Sequence, residues 1–200
     1  MVNKDFFKQP TLEVARQLLG MELVHETGNG RLAGKIVEVE AYKGPEDKAA
    51  HSYGGRRTAR TEVMYGEPGH VYMFLIYGMH HCFNIVTGPL HKPEAILLRA
   101  LEPTEGVELM LENRYGVKES YTRNHERNLT NGPGKLSKAM GFNMNHYGLP
   151  LQTSEIKLQE YDNIKDEFVE IGPRINIDYA EEHVSLPYRF SIKNHAYISK

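Results

Sequence analysis

Two acids stand two residues apart in the run KIVEVEAY (35–42), whose alternation predicts a strand. Val37, Val39 and Ala41 then share one face, and Ile36, Glu38, Glu40 and Tyr42 the other. A strand carboxylate can position and deprotonate a water, or stabilise positive charge that develops beside it. Spacing does not choose between the two acids, and an isolated strand glutamate is most often simply solvated. The same quarter of the chain adds a Gly44-Pro45 turn, His51, the basic run GGRRTAR (54–60), the aromatic strand HVYMFLIY (70–77) ending in Tyr77-Gly78-Met79, and the returning strand HCFNIVT (81–87). An acid, stacking rings (Tyr42, His51, Tyr72, Phe74), arginines that seek phosphate (Arg56, Arg60) and an aromatic hairpin tip are the parts needed to pull a base from a duplex. Each is ordinary alone; the combination is not.

Three further features bear on chemistry. Asn84 is an amide inside an otherwise apolar strand and needs a reason to be there. Arg99, in AILLRAL (95–101), is either a ligand contact or half of a buried ion pair with Glu38 or Glu40. NGPGKL (131–136) fails the phosphate-loop spacing, because Leu129 and Leu136 occupy required positions. A Gly-Pro-Gly-Lys turn opening a helix still offers backbone N–H groups to an anion, with Gly134 and Lys135 nearest to it. His80, His81, Cys82 and His91 do not make a metal site, since neighbours on a strand point to opposite faces, and no metal or cofactor is expected. Cys82 is the only cysteine, so no internal disulfide and no multi-cysteine zinc site can form.

The elements that must position these groups are legible as a pattern. Thr11 reads as an N-cap, with Leu12, Ala15 and Leu19 on one stripe and Gly20 as the stop. MELVHE (21–26) and RLAGKIVEVEAY (31–42) form a hairpin around Thr27–Gly30, where Asn-Gly favours a tight turn. Strands at 70–77, 82–87 and 94–101 extend an antiparallel sheet. A helix comes after Thr104 with Val107, Met110 and Leu111, and residues 117–131 read as a polar loop. Pro133 opens a helix running to about Met140, and short strands come after it at 156–160, 168–176 and 187–193. Strands and helices do not alternate, which favours an α+β class in one domain spanning 1–200.

The 200 residues suit one domain with a sizeable core. The longest apolar run is too short to cross a bilayer and no leader is evident, so a soluble, cytoplasmic protein without a membrane partner is expected. A formal charge of −2 argues against a uniformly basic DNA-binding domain. Clustering of Arg56, Arg57 and Arg60, and of Lys135 and Lys138, still allows a basic face.

The ordered blocks VEVEAYKGPEDKAAHS, YGMHHCFNI and LLRALEP, with NGPGKLSKAMG and PYRFSI further on, resemble the alkyladenine (3-methyladenine) DNA glycosylase family. The resemblance is nearly continuous from Phe7 to about Glu105. It implies a compact mixed domain around a curved, partly barrel-like antiparallel sheet with flanking helices, acting as a monomer on double-stranded DNA that carries damaged purines. It selects Glu40 as the catalytic acid, and Tyr42, His51, Tyr72, Phe74, Asn84 and Arg99 as the base-binding pocket. Tyr77 and Met79 would intercalate, and Arg56, Arg60, Gly134 and Lys135 would meet phosphates. At Phe74 the family can carry tyrosine, so stacking is kept and any hydroxyl contact is lost. A non-catalytic nucleic-acid-binding module of related fold is the alternative; it would keep the basic residues but have no use for an acid beside stacking rings.

Overall fold

The computed structural model describes residues 2–117, 119–151 and 153–199. In chain order the elements are α1 (Lys4–Phe7), α2 (Thr11–Leu18), β1 (Glu22–Thr27), β2 (Gly30–Lys43), β3 (Val71–Ile76), β4 (His80–Thr87), β5 (Glu94–Glu105), α3 (Val107–Tyr115), α4 (Arg123–Arg127), α5 (Pro133–Ala139), β6 (Ile156–Gln159), β7 (Val169–Gly172) and β8 (Arg189–Ile192), joined by short 3-10 turns. All strand pairs are antiparallel and lie in one eight-stranded sheet of order β3-β4-β5-β2-β1-β6, with β8 on β2 and β7 on β8. The fold is α+β and the sheet does not close into a barrel.

The long strand β2 carries both acids and changes partner along its length. Its first half pairs with β1, residues 38–40 pair with β8, and its other edge runs along β5. Three irregularities break the β2–β5 ladder, one at Ala33/Gly34 and two around the acids. Ile36 faces Leu101 and Glu38 faces Ala100, which leaves Val37 as an extra residue; Val39 then faces Leu98, which leaves Arg99 as an extra residue on β5. Bulges on opposite strands restore the register while re-aiming the side chains between them. This corrects the simple alternation: Ile36 does not share the acids' face, because Ile36 and Val37 both join the main core.

That core is continuous. Val14, Ala15 and Leu18 of α2, Leu136 and Ala139 of α5, and the inner faces of β1 to β5 are essentially without exposure. Each large side chain so buried stabilises by about 1.5–3 kcal/mol. Phe83 stacks on Phe142 with centroids 4.5 Å apart.

Several local expectations need adjustment. Pro10 takes the position before α2, and Thr11 caps nothing; its hydroxyl binds Thr87 at 3.0 Å and Glu94, tying α2 to the sheet. Val14, Ala15 and Leu18 are the fully buried residues of the helix; Leu12 is half-buried and packs against the same core, and Leu19 is buried just beyond the helix. Gly20 does end the segment, at φ 88, where a Cβ would run into the Asp162 carbonyl oxygen. In the β1–β2 hairpin Thr27 pairs with Gly30, so the turn centres on Gly28-Asn29, one residue before Asn-Gly. The polar stretch 117–131, of which residue 118 lies outside the described residues, contains α4, started by Thr122 and His125 binding each other's backbone N–H. The C-terminal strands are shorter than expected, at 156–159, 169–172 and 189–192. Among the described residues no helix is long and apolar enough to cross a membrane.

Candidate active site

Where β2 to β5 meet the start of α5 and the segment 175–177, they surround a cleft of about 790 Å³. That volume falls in the range of small-molecule pockets, roughly 300–1,000 Å³. Tyr42, His51, Tyr72, Phe74, Asn84 and Arg99 all line it. Tyr72 and Phe74 face one way because they are two apart on β3, and Tyr72 lies opposite Asn84 on β4. His51 stands edge-on to Phe74 at 4.6 Å and to Tyr72 at 6.2 Å, so the three rings form one wall. Its Nδ1 is 2.7 Å from the Tyr72 hydroxyl. Both amide protons of Asn84 go to the carbonyls of Tyr72 and Cys82, at 3.0 and 3.2 Å, which fixes the side chain and leaves Oδ1 for the cleft.

Burial, with the charges of Arg60 and Arg56 behind it, pushes the His51 pKa down to about 4. The ring is therefore neutral at physiological pH, and one nitrogen can donate while the other accepts. Linkage gives the sign for stability. The folded pKa lies below the ordinary 6.5, so the unfolded chain takes up the proton first, and stability present above pH 6.5 is lost as pH falls towards 4. Replacing His51 by Gln should remove about 2–3 kcal/mol of that acid-side loss. Urea unfolding of parent and variant from pH 7.5 to 4.5 measures it; parallel curves would rule it out.

Glu40 has no exposed surface; it pairs with Leu97 of β5, which in turn faces Asn84 of β4. Three cleft-lining residues bind it: the Tyr42 hydroxyl donates to Oε2 at 2.8 Å, the Ile175 backbone N–H donates to Oε1 at 2.7 Å, and Arg99 Nη1 is 3.2 Å from Oε1. A buried carboxylate needs such compensation, because a bare charge in a dry interior is very unfavourable. Burial, then the charge of Glu40, pushes the Tyr42 pKa well up, so this hydroxyl stays a donor. Glu38 is equally buried and faces a different set: Arg99 Nε at 3.2 Å, Arg189 Nε at 2.6 Å, and both the N–H and the hydroxyl of Ser199. Arg99, which the sequence left between ligand contact and ion pair, pairs with both acids and lines the cleft as well.

A buried clamp holds the two segments that flank Glu40. Asp47, in the turn leading to His51, accepts the N–H groups of Lys43 and Ala49 and both terminal nitrogens of Arg174. Arg174 also donates to the Ala41 carbonyl at 3.0 Å and lies over the Tyr42 ring at 4.8 Å. One residue on, Ile175 delivers its N–H to Glu40.

The β3–β4 turn projects Tyr77 and Met79 outward, 88% and 72% exposed. Tyr77 is not packed on the core. It sits at φ 52 with Gly78 at φ 69, in a turn closed by Met79 N–H to the Ile76 carbonyl. Positive φ disfavours a bulky residue, so tyrosine here carries local strain. Of the basic run, Arg57 is bound to Glu62 in two places, while Arg56 and Arg60 are exposed with no side-chain partner among the described residues. Gly134 and Lys135 line the cleft beside Arg114 and Lys138, and Lys135 binds Asn131 at 2.8 Å. A Cβ on Gly134 would come within 3.1 Å of the His80 Cβ, so glycine is what lets α5 approach β4.

His80, His81, Cys82 and His91 form no metal-ligand group among the described residues. The one group that forms, His25, His146 and Glu155, has its atoms within 4.8 Å in a separate surface hollow. There His146 Nδ1 lies 3.0 Å from the Asn143 N–H and 3.1 Å from the Asn143 carbonyl oxygen, and His25 Nδ1 lies 2.7 Å from the Met140 carbonyl oxygen, so Nδ1 of each ring is engaged by the backbone.

Asp47, Arg114, Arg174, Ile175 and Ser199 carry no signal of a role in the sequence. Arg174, Ile175 and Ser199 arrive from the far end of the chain, and no local periodicity announces such arrivals. The Pro173-Arg174 pair after a short strand is the one available hint of a stop with a charge.

The methylpurine-DNA glycosylase family model matches residues 5–196. Curated relatives bearing the name "Putative 3-methyladenine DNA glycosylase" are 51% identical over 199 residues in Bacillus cereus (strain AH187) and 52% identical over 199 residues in Bacillus anthracis (strain CDC 684 / NRRL 3495). A relative of the same name in Bacillus cytotoxicus is also 52% identical, and each match covers 98% of this chain and 97% of the relative. With a family match over nearly the whole length and a buried acid held by three cleft-lining residues, the chain belongs to the methylpurine-DNA glycosylase family.

Proposed function

We propose that this enzyme flips alkylated or deaminated purines out of duplex DNA into the cleft and hydrolyses the N-glycosidic bond, with Glu40 as the acid that handles water. The observation that carries the reading is Glu40 itself, fully buried and held by three groups that also line the ring-walled cleft. Water takes the place of one side-chain donor at the carboxylate, Tyr42 or Arg99, while the Ile175 N–H keeps the acid oriented. The water oxygen attacks C1′, its proton passes to Glu40, and the C1′–N bond breaks with its electron pair leaving on the purine. The carboxylate also stabilises the positive charge that builds on the sugar.

3-Methyladenine and 7-methylguanine are already cationic and leave as neutral bases; neutral hypoxanthine and ethenoadenine need a proton on the leaving group. Tyr42, His51, Tyr72 and Phe74 stack on or border the base, contacts worth roughly 1–3 kcal/mol each. Asn84 disfavours guanine by bulk, since its locked amide cannot retreat from the 2-amino group; 7-methylguanine carries the same group and is excised because its cationic ring leaves readily. Asn84→Ser should raise release of undamaged guanine; unchanged release from an otherwise active variant would remove that role.

Tyr77 and Met79 fill the gap left by the flipped nucleotide, and Arg56, Arg60, Gly134 and Lys135 lie along the phosphates. Tyr77→Gly should leave the melting temperature unchanged or raised, because it relieves the positive φ, yet lower excision from duplex far more than from single strands. Equal loss on both substrates would make Tyr77 a structural residue only.

The test of the whole is a hypoxanthine-containing duplex scored for abasic sites. The strand should stay intact until treated with alkali or heat, and borohydride should trap no covalent adduct, since water and not an amine attacks the sugar. Binding without abasic sites would leave only a DNA-binding module.

A further inference from the structure

Beyond the assigned acid, the cleft contains a residue whose bonds reach both glutamates' shared partner. Arg99 is pulled two ways, by Glu38 through Nε at 3.2 Å and by Glu40 through Nη1 at 3.2 Å. Glu38 holds the stronger position, with Arg189 at 2.6 Å as a second cation. Ser199 stands at this junction, 7% exposed and lining the cleft. Its backbone N–H donates to Glu38 Oε2 at 2.7 Å and its hydroxyl donates to Glu38 Oε1 at 2.9 Å. The same hydroxyl oxygen accepts from Arg99 Nε at 3.2 Å and Nη2 at 3.0 Å.

We infer that Ser199 is a positioning residue: its hydroxyl occupies the Glu38 side of the Arg99 fork and so presents Nη1 to Glu40. This rests on Glu40 being the reacting acid. A hydroxyl is the one small neutral group that can donate once and accept twice, which is what the junction requires. Alanine keeps the backbone bond to Glu38 and the Nε–Glu38 pair but leaves Arg99 Nη2 without its acceptor, free to swing onto Glu38. A buried polar group stripped of its partner relaxes or destabilises its site. Threonine retains the hydroxyl.

The experiment compares parent, Ser199→Ala, Ser199→Thr and Glu40→Gln in single-turnover excision and in binding to a duplex carrying an uncleavable abasic analogue. Ser199→Ala should lose about tenfold in rate, equivalent to about 1.4 kcal/mol of transition-state stabilisation, with binding unchanged within about twofold. Ser199→Thr should recover most of the rate. An alanine variant as fast as the parent, one that loses binding and rate together, or a threonine variant that fails to recover overturns the inference. Glu40→Gln separates the two claims: normal turnover there removes the acid assignment, whereas an inactive Glu40→Gln beside a fully active Ser199→Ala removes the role of Ser199 alone.

Discussion

Glu40→Gln should reduce single-turnover excision by about 10²-fold or more while binding of a lesion duplex stays within several-fold. The amide has the shape of the acid but cannot take a proton from water or oppose charge at C1′. Its surroundings make the change more severe than an exposed substitution. The Tyr42 hydroxyl, the Ile175 N–H and Arg99 all donate towards Glu40, and an amide nitrogen placed there would face a donor at one of the three. A moderate loss of thermal stability should therefore accompany the loss of rate. Glu38→Gln is the matched control, since Glu38 is just as buried and meets its own donors. Near-normal turnover in Glu40→Gln together with a large loss in Glu38→Gln would move the chemistry to Glu38.

The acid strand, the aromatic strand and the hairpin tip could be read from the sequence because strand alternation and turn chemistry are local. β3 presents Tyr72 and Phe74 to the cleft as period two requires, and the Tyr77-Gly78 turn falls where the glycine allows it. What alternation missed was the pair of bulges at Val37 and Arg99, since a bulge depends on the partner strand as much as on its own residues. The same limit explains Thr11, whose type suits a cap but whose hydroxyl is taken by Glu94 on β5. Solvation was the ordinary expectation for Glu38 and Glu40, and it fails for both. Their compensating charges lie at Arg99 and Arg189, of which only Arg99 sits in a run that looks unusual for a cation. The resemblance supplied Glu40 as the acid; it carried nothing about Asp47, Ile175 or Ser199.

Asp47 offers the sharpest test of how the site is held. Burial works against its charge, but the hydrogen bonds and charge of Arg174, with the N–H groups of Ala49 and Lys43, hold its carboxyl below the usual range. Arg174 is itself buried, and its other contacts are the Ala41 carbonyl, that of His183 at 3.5 Å and the faces of Tyr42 and Tyr188. Asp47→Ala would thus leave a buried guanidinium without its counter-charge, a change that typically destabilises by about 3–5 kcal/mol. The same substitution unties the turn carrying His51 from the segment carrying Ile175, so excision should fall even where the variant is fully folded. Removing both charges tests the cause. Asp47→Ala with Arg174→Met should be more stable than Asp47→Ala alone, because the stranded cation is gone, while excision stays low because the clamp stays open. Urea unfolding of the two variants gives the first comparison and single-turnover rates at about 20 °C give the second. A double variant no more stable than the single would show that Asp47 acts through its bonds to Lys43 and Ala49, and that the Arg174 pair does not hold the cleft together.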